Sequence, residues 1–99
     1  MYAVKRFFSY SWIVSKSELR EAIAINAIRL LRDERQYKGI SMTRLAEGAG
    51  LSQGMISLVE RDLRNPTLDT LLRMAEVLEV DLWRVLRKAT DEASLKKRV

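Results

Sequence analysis

The sequence predicts an all-α protein of five helices, and three observations support this fold class. Apolar residues recur at spacings of three and four along most of the chain, which is the periodicity of amphipathic helices. A serine, threonine or aspartate precedes each of these segments and is suited to cap a helix N-terminus. Glycine or an Asn-Pro pair follows several of the segments and suits the end of a helix.

The composition narrows the function classes. The 99 residues make one small domain. Cysteine and histidine are absent, which excludes disulfides, thiolate metal sites and the most common general base. The sequence therefore predicts no catalytic site, no metal site and no cofactor. The net charge of +5 permits a polyanionic partner, although much of the excess lies in the tails. No apolar run approaches the roughly 20 residues that span a bilayer, so we expect a cytoplasmic protein without a membrane partner.

We divide the chain into an aromatic arm (1–14), a helical domain (15–89) and a basic C-terminal tail (90–99). The arm holds five of the seven aromatic residues, and its even positions are mostly apolar, which is the period of a β-strand. A lone strand leaves its backbone groups unpaired, so a strand here needs a partner. Two interpretations stay open: a β-ribbon with the arm of a second subunit, and a flexible or loosely docked extension. The candidate dimer contacts in the arm are Phe8, Tyr10 and Trp12.

The first helix is predicted to begin after Ser15, which forms a capping box with Glu18, and to run to about Tyr37 before Gly39. Two apolar stripes mark its buried side, one of Ala24, Ile28 and Leu31 and the other of Leu19, Ile23, Ala27 and Leu30. A helix that is apolar over so much of its circumference contacts more than one neighbour.

Two short helices are predicted next. Ser41 caps a helix over 42–49, Gly50 permits a sharp reversal, and Ser52 caps a helix over about 53–62. The residues predicted to point inward are Leu45, Ala46, Ile56, Val59 and the nearby Leu63.

Asn65-Pro66 ends this pair of helices, and two further helices are predicted to follow. Thr67 caps the fourth helix and Asp81 caps the fifth, whereas the polar, basic chain from Thr90 is expected to fray. The apolar residues at helical spacing are Leu68, Leu71, Leu72, Ala75 and Leu78 in the fourth helix and Leu82, Val85 and Leu86 in the fifth.

The segment LAEGAGLSQGMISLVERDLRNPTLDTLLRMAEVLEV resembles the Xre-type, lambda-repressor-like helix-turn-helix family. The similarity lies in its apolar framework, the turn glycine, the capping serine, the acid near the helix end and the N-P-T-L-D-T-L segment. It covers roughly residues 24–86. The resemblance implies that the helix from Gln53 enters the major groove of DNA, where each base pair presents a distinct pattern of donors and acceptors.

The resemblance implies base contacts at four positions, which are Gln53, Gly54, Ser57 and Leu58. A glutamine can bond an adenine edge bidentately, so Gln53 is the strongest candidate. Ser57 can donate to a base or a phosphate, with the alternative of an exposed serine that makes no DNA contact. Gly54 and Leu58 depart from the family pattern. Gly54 supplies no side chain but permits close backbone approach. For Leu58 two interpretations stay open: an apolar contact with a thymine methyl, and an ordinary surface leucine.

Phosphate contacts are expected from residues at the edge of the motif, where free N–H groups and the positive ends of helices favour anions. The candidates are Ser41, Thr43, Arg44, Ser52, Arg61 and Arg64. Each arginine has the alternative of a solvated or salt-bridged surface charge.

Glu60 is interpreted as structural. The resemblance implies an ion pair between this acid and an arginine of the first helix, for which Arg32 is the matching position. On that alignment residues 36–38 are about three extra residues before Gly39, a lengthening that would shift how the first helix addresses the DNA backbone.

The function that the resemblance implies is that of a sequence-specific transcriptional regulator binding double-stranded DNA as a homodimer. Trp83 is a candidate dimer contact, with the alternative that it covers the core. Two other functions stay open. An antitoxin of a toxin–antitoxin pair would have the same DNA-binding part and a second protein as partner, and a protein-interaction module would keep the fold without binding DNA.

Overall fold

The computed structural model describes residues 16–98, with side chains described for residues 16–94. Five α-helices and no strand occur in this part of the chain, so the predicted all-α, five-helix fold class is confirmed. The helices are α1 (Lys16–Tyr37), α2 (Met42–Ala49), α3 (Gln53–Glu60), α4 (Leu68–Leu78) and α5 (Leu82–Arg98). The predicted β-arm, its aromatic dimer candidates and the cap at Ser15 lie outside the described residues.

The N-terminal caps predicted for α2, α3 and α4 are confirmed. A side-chain oxygen accepts a backbone N–H bond three residues on in each case: Ser41 from Arg44 at 3.0 Å, Ser52 from Met55 at 3.0 Å and Thr67 from Thr70 at 3.1 Å. Gly39 and Gly50 have φ angles of +68° and +70°, the left-handed region that glycine adopts without steric cost. Local sequence therefore fixes where these helices begin and where the chain turns.

The core lies where the five helices meet. Its largest fully buried side chains are Leu31, Leu45, Ile56, Val59, Met74 and Leu78. Three leucines do not follow the predicted pattern. Leu63 is 63% exposed, because Asp62 at φ +59° turns the chain after α3, and the predicted inward orientation is wrong. Leu68 and Leu72 are also exposed, since the face of α4 that packs against the core is the one with Thr70, Met74, Ala75 and Leu78.

The expectation that the chain frays from Thr90 is wrong, since α5 continues to Arg98. Ala89 and Ala93, one turn apart, are buried, and such small side chains let helices approach closely. The Asn26 side-chain amide donates to the Ala89 carbonyl at 3.1 Å. Arg29 forms an ion pair with Glu92. The polar composition hid this extension, because its contacts with α1 use alanines and polar pairs instead of large apolar residues.

Candidate nucleic-acid interface

Helix α3 has two different flanks. Ile56 and Val59 are fully buried and attach the helix to the core. On the outer flank Gln53 is exposed and Ser57 is half-buried. The arrangement agrees with a helix that is held by its apolar side and presents its polar side to a ligand.

The four predicted base-reading residues come together on this outer flank. They line one shallow surface depression of about 500 Å³. Its walls include Gln53, Gly54, Met55, Leu58, Arg61 and Arg64. Met55 is the member that the sequence reasoning missed. It follows Gly54 directly in α3 and is only half-buried, and its apolar character alone gave no reason to place it outside the core.

The predicted phosphate-binding residues fall into two groups. Arg61 and Arg64 are exposed at the rim of the depression, where the Arg61 Nε donates to the Ser57 carbonyl and an Arg64 guanidinium nitrogen lies 3.8 Å from the Met55 sulfur. Thr43 and Arg44 are exposed in the first turn of α2 and lie outside the depression. Among residues 16–94, no carboxylate lies within 4 Å of the guanidinium of any of these three arginines, so their charge is free to meet an anion.

A buried ion pair fixes α3 against α1. The Arg35 guanidinium bonds both carboxylate oxygens of Glu60, at 2.7 and 2.9 Å, and both residues are less than a tenth exposed. The same guanidinium donates to the Ile40 carbonyl at 2.8 Å, in the segment that leads into α2. One side chain therefore connects α1, the entry to α2 and the end of α3. Bidentate pairs of this kind fix relative orientation as well as adding energy.

The predicted partner of Glu60, Arg32, is wrong. Arg32 reaches only the Glu60 backbone carbonyl, at 3.5 Å, and its side chain is more than a third exposed. Arg35 lies on the same face of α1, three residues later, and still within the helix. With Arg35 as the partner, residues 36–38 are no longer extra, and the lengthening inferred from Arg32 disappears.

Two further cations hold the carbonyl ends of helices beside the motif. An Arg73 guanidinium nitrogen donates to the carbonyl of Ala49, the last residue of α2, at 3.0 Å. The Lys38 ammonium donates to the carbonyl of Leu78, the last residue of α4. Cationic side chains stabilise such helix ends by bonding free carbonyls and opposing the negative end of the dipole. They keep α2 and α4 in place around α3.

Comparison with known proteins identifies the family. The helix-turn-helix family model matches residues 31–82, which is more than half of the chain and includes α2, α3 and α4. The chain belongs to the Xre-type, lambda-repressor-like helix-turn-helix family. The family consists of DNA-binding transcriptional regulators, so the resemblance drawn from the sequence is confirmed.

Individual Xre-type relatives agree with this assignment. The chain is 42% identical over 50 residues to the HTH-type transcriptional regulator SutR of Escherichia coli and 35% identical over 57 residues to SinR of Bacillus subtilis. These alignments cover 50% and 57% of this chain, and 28% and 51% of the two relatives. The chain thus matches only about a quarter to a half of the length of these regulators.

A solved structure supports the same fold over a longer stretch. The clp gene regulator ClgR of Corynebacterium glutamicum superposes with a TM-score of 0.63 at 29% identity. The superposition covers 79% of each chain. The shared part of the Xre-type fold therefore extends beyond the residues that the family model matches.

No cluster of three or more acidic side chains suited to a metal ion occurs among residues 16–94. Among the five described helices, we find no segment with the length and hydrophobicity of a membrane span. Trp83 is 58% exposed and lies with the half-exposed Leu72 in an open groove of about 980 Å³, which is lined by the end of α2, by α4 and by the start of α5. It does not cover the core.

Proposed function

We propose that this chain is a sequence-specific transcriptional regulator that binds double-stranded DNA as a homodimer on a two-fold site, with α3 in the major groove. Gln53, Gly54, Ser57 and Leu58 face the bases, and Arg44, Arg61 and Arg64 contact phosphates, assisted by Ser41, Thr43 and Ser52. Such a protein acts in the cytoplasm and has no catalytic role.

One observation carries the proposal: the outer flank of α3 combines an exposed glutamine with rim arginines that have no carboxylate partner among the side chains of residues 16–94. An exposed Gln53 can reach a base edge without any rearrangement of the core. Arg61 and Arg64 are exposed at the rim of the same depression, and arginines at the edge of a recognition helix commonly contact phosphates. Such phosphate contacts supply most of the non-specific affinity for DNA.

The salt dependence of binding to a random duplex tests this function. Affinity should fall by orders of magnitude between about 50 and 200 mM salt, since each neutralised phosphate releases counterions. Arg44→Ala should weaken binding to all duplexes alike and flatten the slope of log K against log salt by about 1.8 for the dimer, about 0.9 for each of its two Arg44 side chains. Arg87→Ala removes the same charge from α5, which packs on α1, and serves as the control. A wild-type affinity that does not change with salt would refute DNA binding.

The homodimer is proposed to use the groove that contains Leu72 and Trp83, with the aromatic arm as a second contact. An exposed tryptophan beside an exposed leucine is costly to leave in water and is typical of interface centres. Trp83→Ser should shift the sedimentation profile toward monomer, and removal of residues 1–14 should do so if the arm also contributes. A wild-type protein that sediments as a monomer at every concentration would exclude the dimer.

The same groove suits a different protein partner, which keeps the antitoxin as the second candidate. In that case a second small protein copurifies with the chain from its native host, and DNA binding is retained. A module that only binds proteins would instead show no duplex affinity that falls with salt.

A further inference from the structure

The fold itself does not require a glycine at position 54. Gly39 and Gly50 adopt positive φ angles, and a Cβ on Gly48 would lie 3.1 Å from a methyl of Val77. A Cβ on Gly54 would meet no atom within 4 Å, and the backbone there has no positive φ. Glycine weakens a helix relative to alanine. The fold alone would therefore be better served by alanine at this position.

The missing side chain produces a low point on the outer flank of α3. Gly54 and Leu58 are four residues apart and lie on one line of the helix. Leu58 and Met55 are half-buried, so each keeps part of its apolar surface accessible in the depression beside Gly54. The depression is lined by two arginines and by no carboxylate. Its apolar surface and positive charge together suit an apolar group that belongs to a polyanion.

We propose that Gly54, Met55 and Leu58 form a specificity site for the 5-methyl group of a thymine in the major groove. The proposal rests on the proposed DNA-binding function and names one base in each half-site. The thymine methyl is the apolar group that unmodified DNA presents in this groove. Neither the Met55 nor the Leu58 side chain can form a strong hydrogen bond to a base edge, and Gly54 lets the base approach the helix backbone.

The test uses duplexes selected from a random pool for binding to this protein, with each thymine replaced in turn by deoxyuridine, which lacks only the methyl group. At one thymine per half-site, the replacement should weaken binding by roughly threefold to fivefold, the effect of exposing one methyl group. Leu58→Ala should abolish that difference. The fold of the variant is checked by circular dichroism and thermal unfolding.

Gly54→Ala gives a second, independent readout. Because a Cβ has open space there, the variant should raise the unfolding temperature and weaken binding to the selected duplex at least tenfold by blocking close approach. Gly48→Ala is the matched glycine substitution in α2, and it should gain less stability than Gly54→Ala because its Cβ would lie 3.1 Å from a methyl of Val77.

The outcomes separate this inference from the proposed function. If every deoxyuridine replacement is neutral in the wild type while affinity still falls with salt, the thymine site is refuted and DNA binding stands. If the deoxyuridine effect persists in Leu58→Ala, or if Gly54→Ala binds as well as the wild type, the assigned residues are wrong. Absence of salt-dependent duplex binding would refute both proposals.

Discussion

Arg35→Ala is expected to lower the free energy of unfolding by about 3–5 kcal/mol, because it leaves the Glu60 carboxylate buried without its partner. Glu60 is only 5% exposed, and both of its oxygens are bonded by Arg35. Loss of the guanidinium also removes the bond to the Ile40 carbonyl at the entry to α2. Few single substitutions outside the apolar core should have so large an effect.

Denaturant unfolding followed by circular dichroism measures this difference, and Arg32→Ala is the matched control. Arg32 is more exposed and contacts only a backbone carbonyl of Glu60, at 3.5 Å, so its loss should cost about 1 kcal/mol or less. Joint replacement by Arg35→Met and Glu60→Leu should recover much of the lost stability, since a buried pair is often replaceable by apolar residues. An Arg32→Ala cost equal to that of Arg35→Ala would contradict the observed pairing.

The sequence alone could not predict which arginine of α1 pairs with Glu60. Arg32 and Arg35 are both arginines near the end of α1 and are separated by less than one turn, so periodicity allows either to face α3. The choice depends on the relative rotation and position of two helices that are distant in sequence. Local reasoning contains no measure of that rotation, and an alignment error of three residues followed from it.

Elements determined by local chemistry were predicted well. Ser41, Ser52 and Thr67 cap helices because their side-chain oxygens reach an N–H only three residues away. The chain leaves α2 at Gly50 in a left-handed backbone conformation. Glycine adopts this conformation without the steric cost that a Cβ would bring. These features fix the start of α3, and with it the position of Gln53, from sequence alone.

Elements determined by packing between distant segments were not predicted. Leu63 is exposed because the chain turns at Asp62 after α3, and Leu72 is exposed because Met74 and Leu78 already fill the face that α4 turns to the core. The last turns of α5 are polar in composition, yet Asn26 of α1 and buried alanines hold them in place. Hydrophobicity alone gives neither result, since both depend on what the opposite helix presents.

The central claim is that α3 reads DNA bases from its outer flank, and Gln53→Ala is the substitution that examines it most directly. Gln53 is exposed at the first position of α3 and has no described hydrogen-bond partner in the protein, so its loss should leave stability nearly unchanged. A bidentate contact with adenine contributes about 1–3 kcal/mol of discrimination, which corresponds to roughly fivefold to 150-fold in affinity. Binding that does not depend on sequence uses phosphates and should not require this side chain.

The decisive measurement compares wild type and Gln53→Ala on two duplexes, one selected for tight binding and one random, at the same salt concentration. Gln36→Ala, which changes the other glutamine of the chain in the last turn of α1, is the control. We expect Gln53→Ala to lose affinity for the selected duplex while its affinity for the random duplex stays within about twofold of wild type. Equal losses on both duplexes, or no loss on either, would contradict base reading by Gln53 at the start of α3.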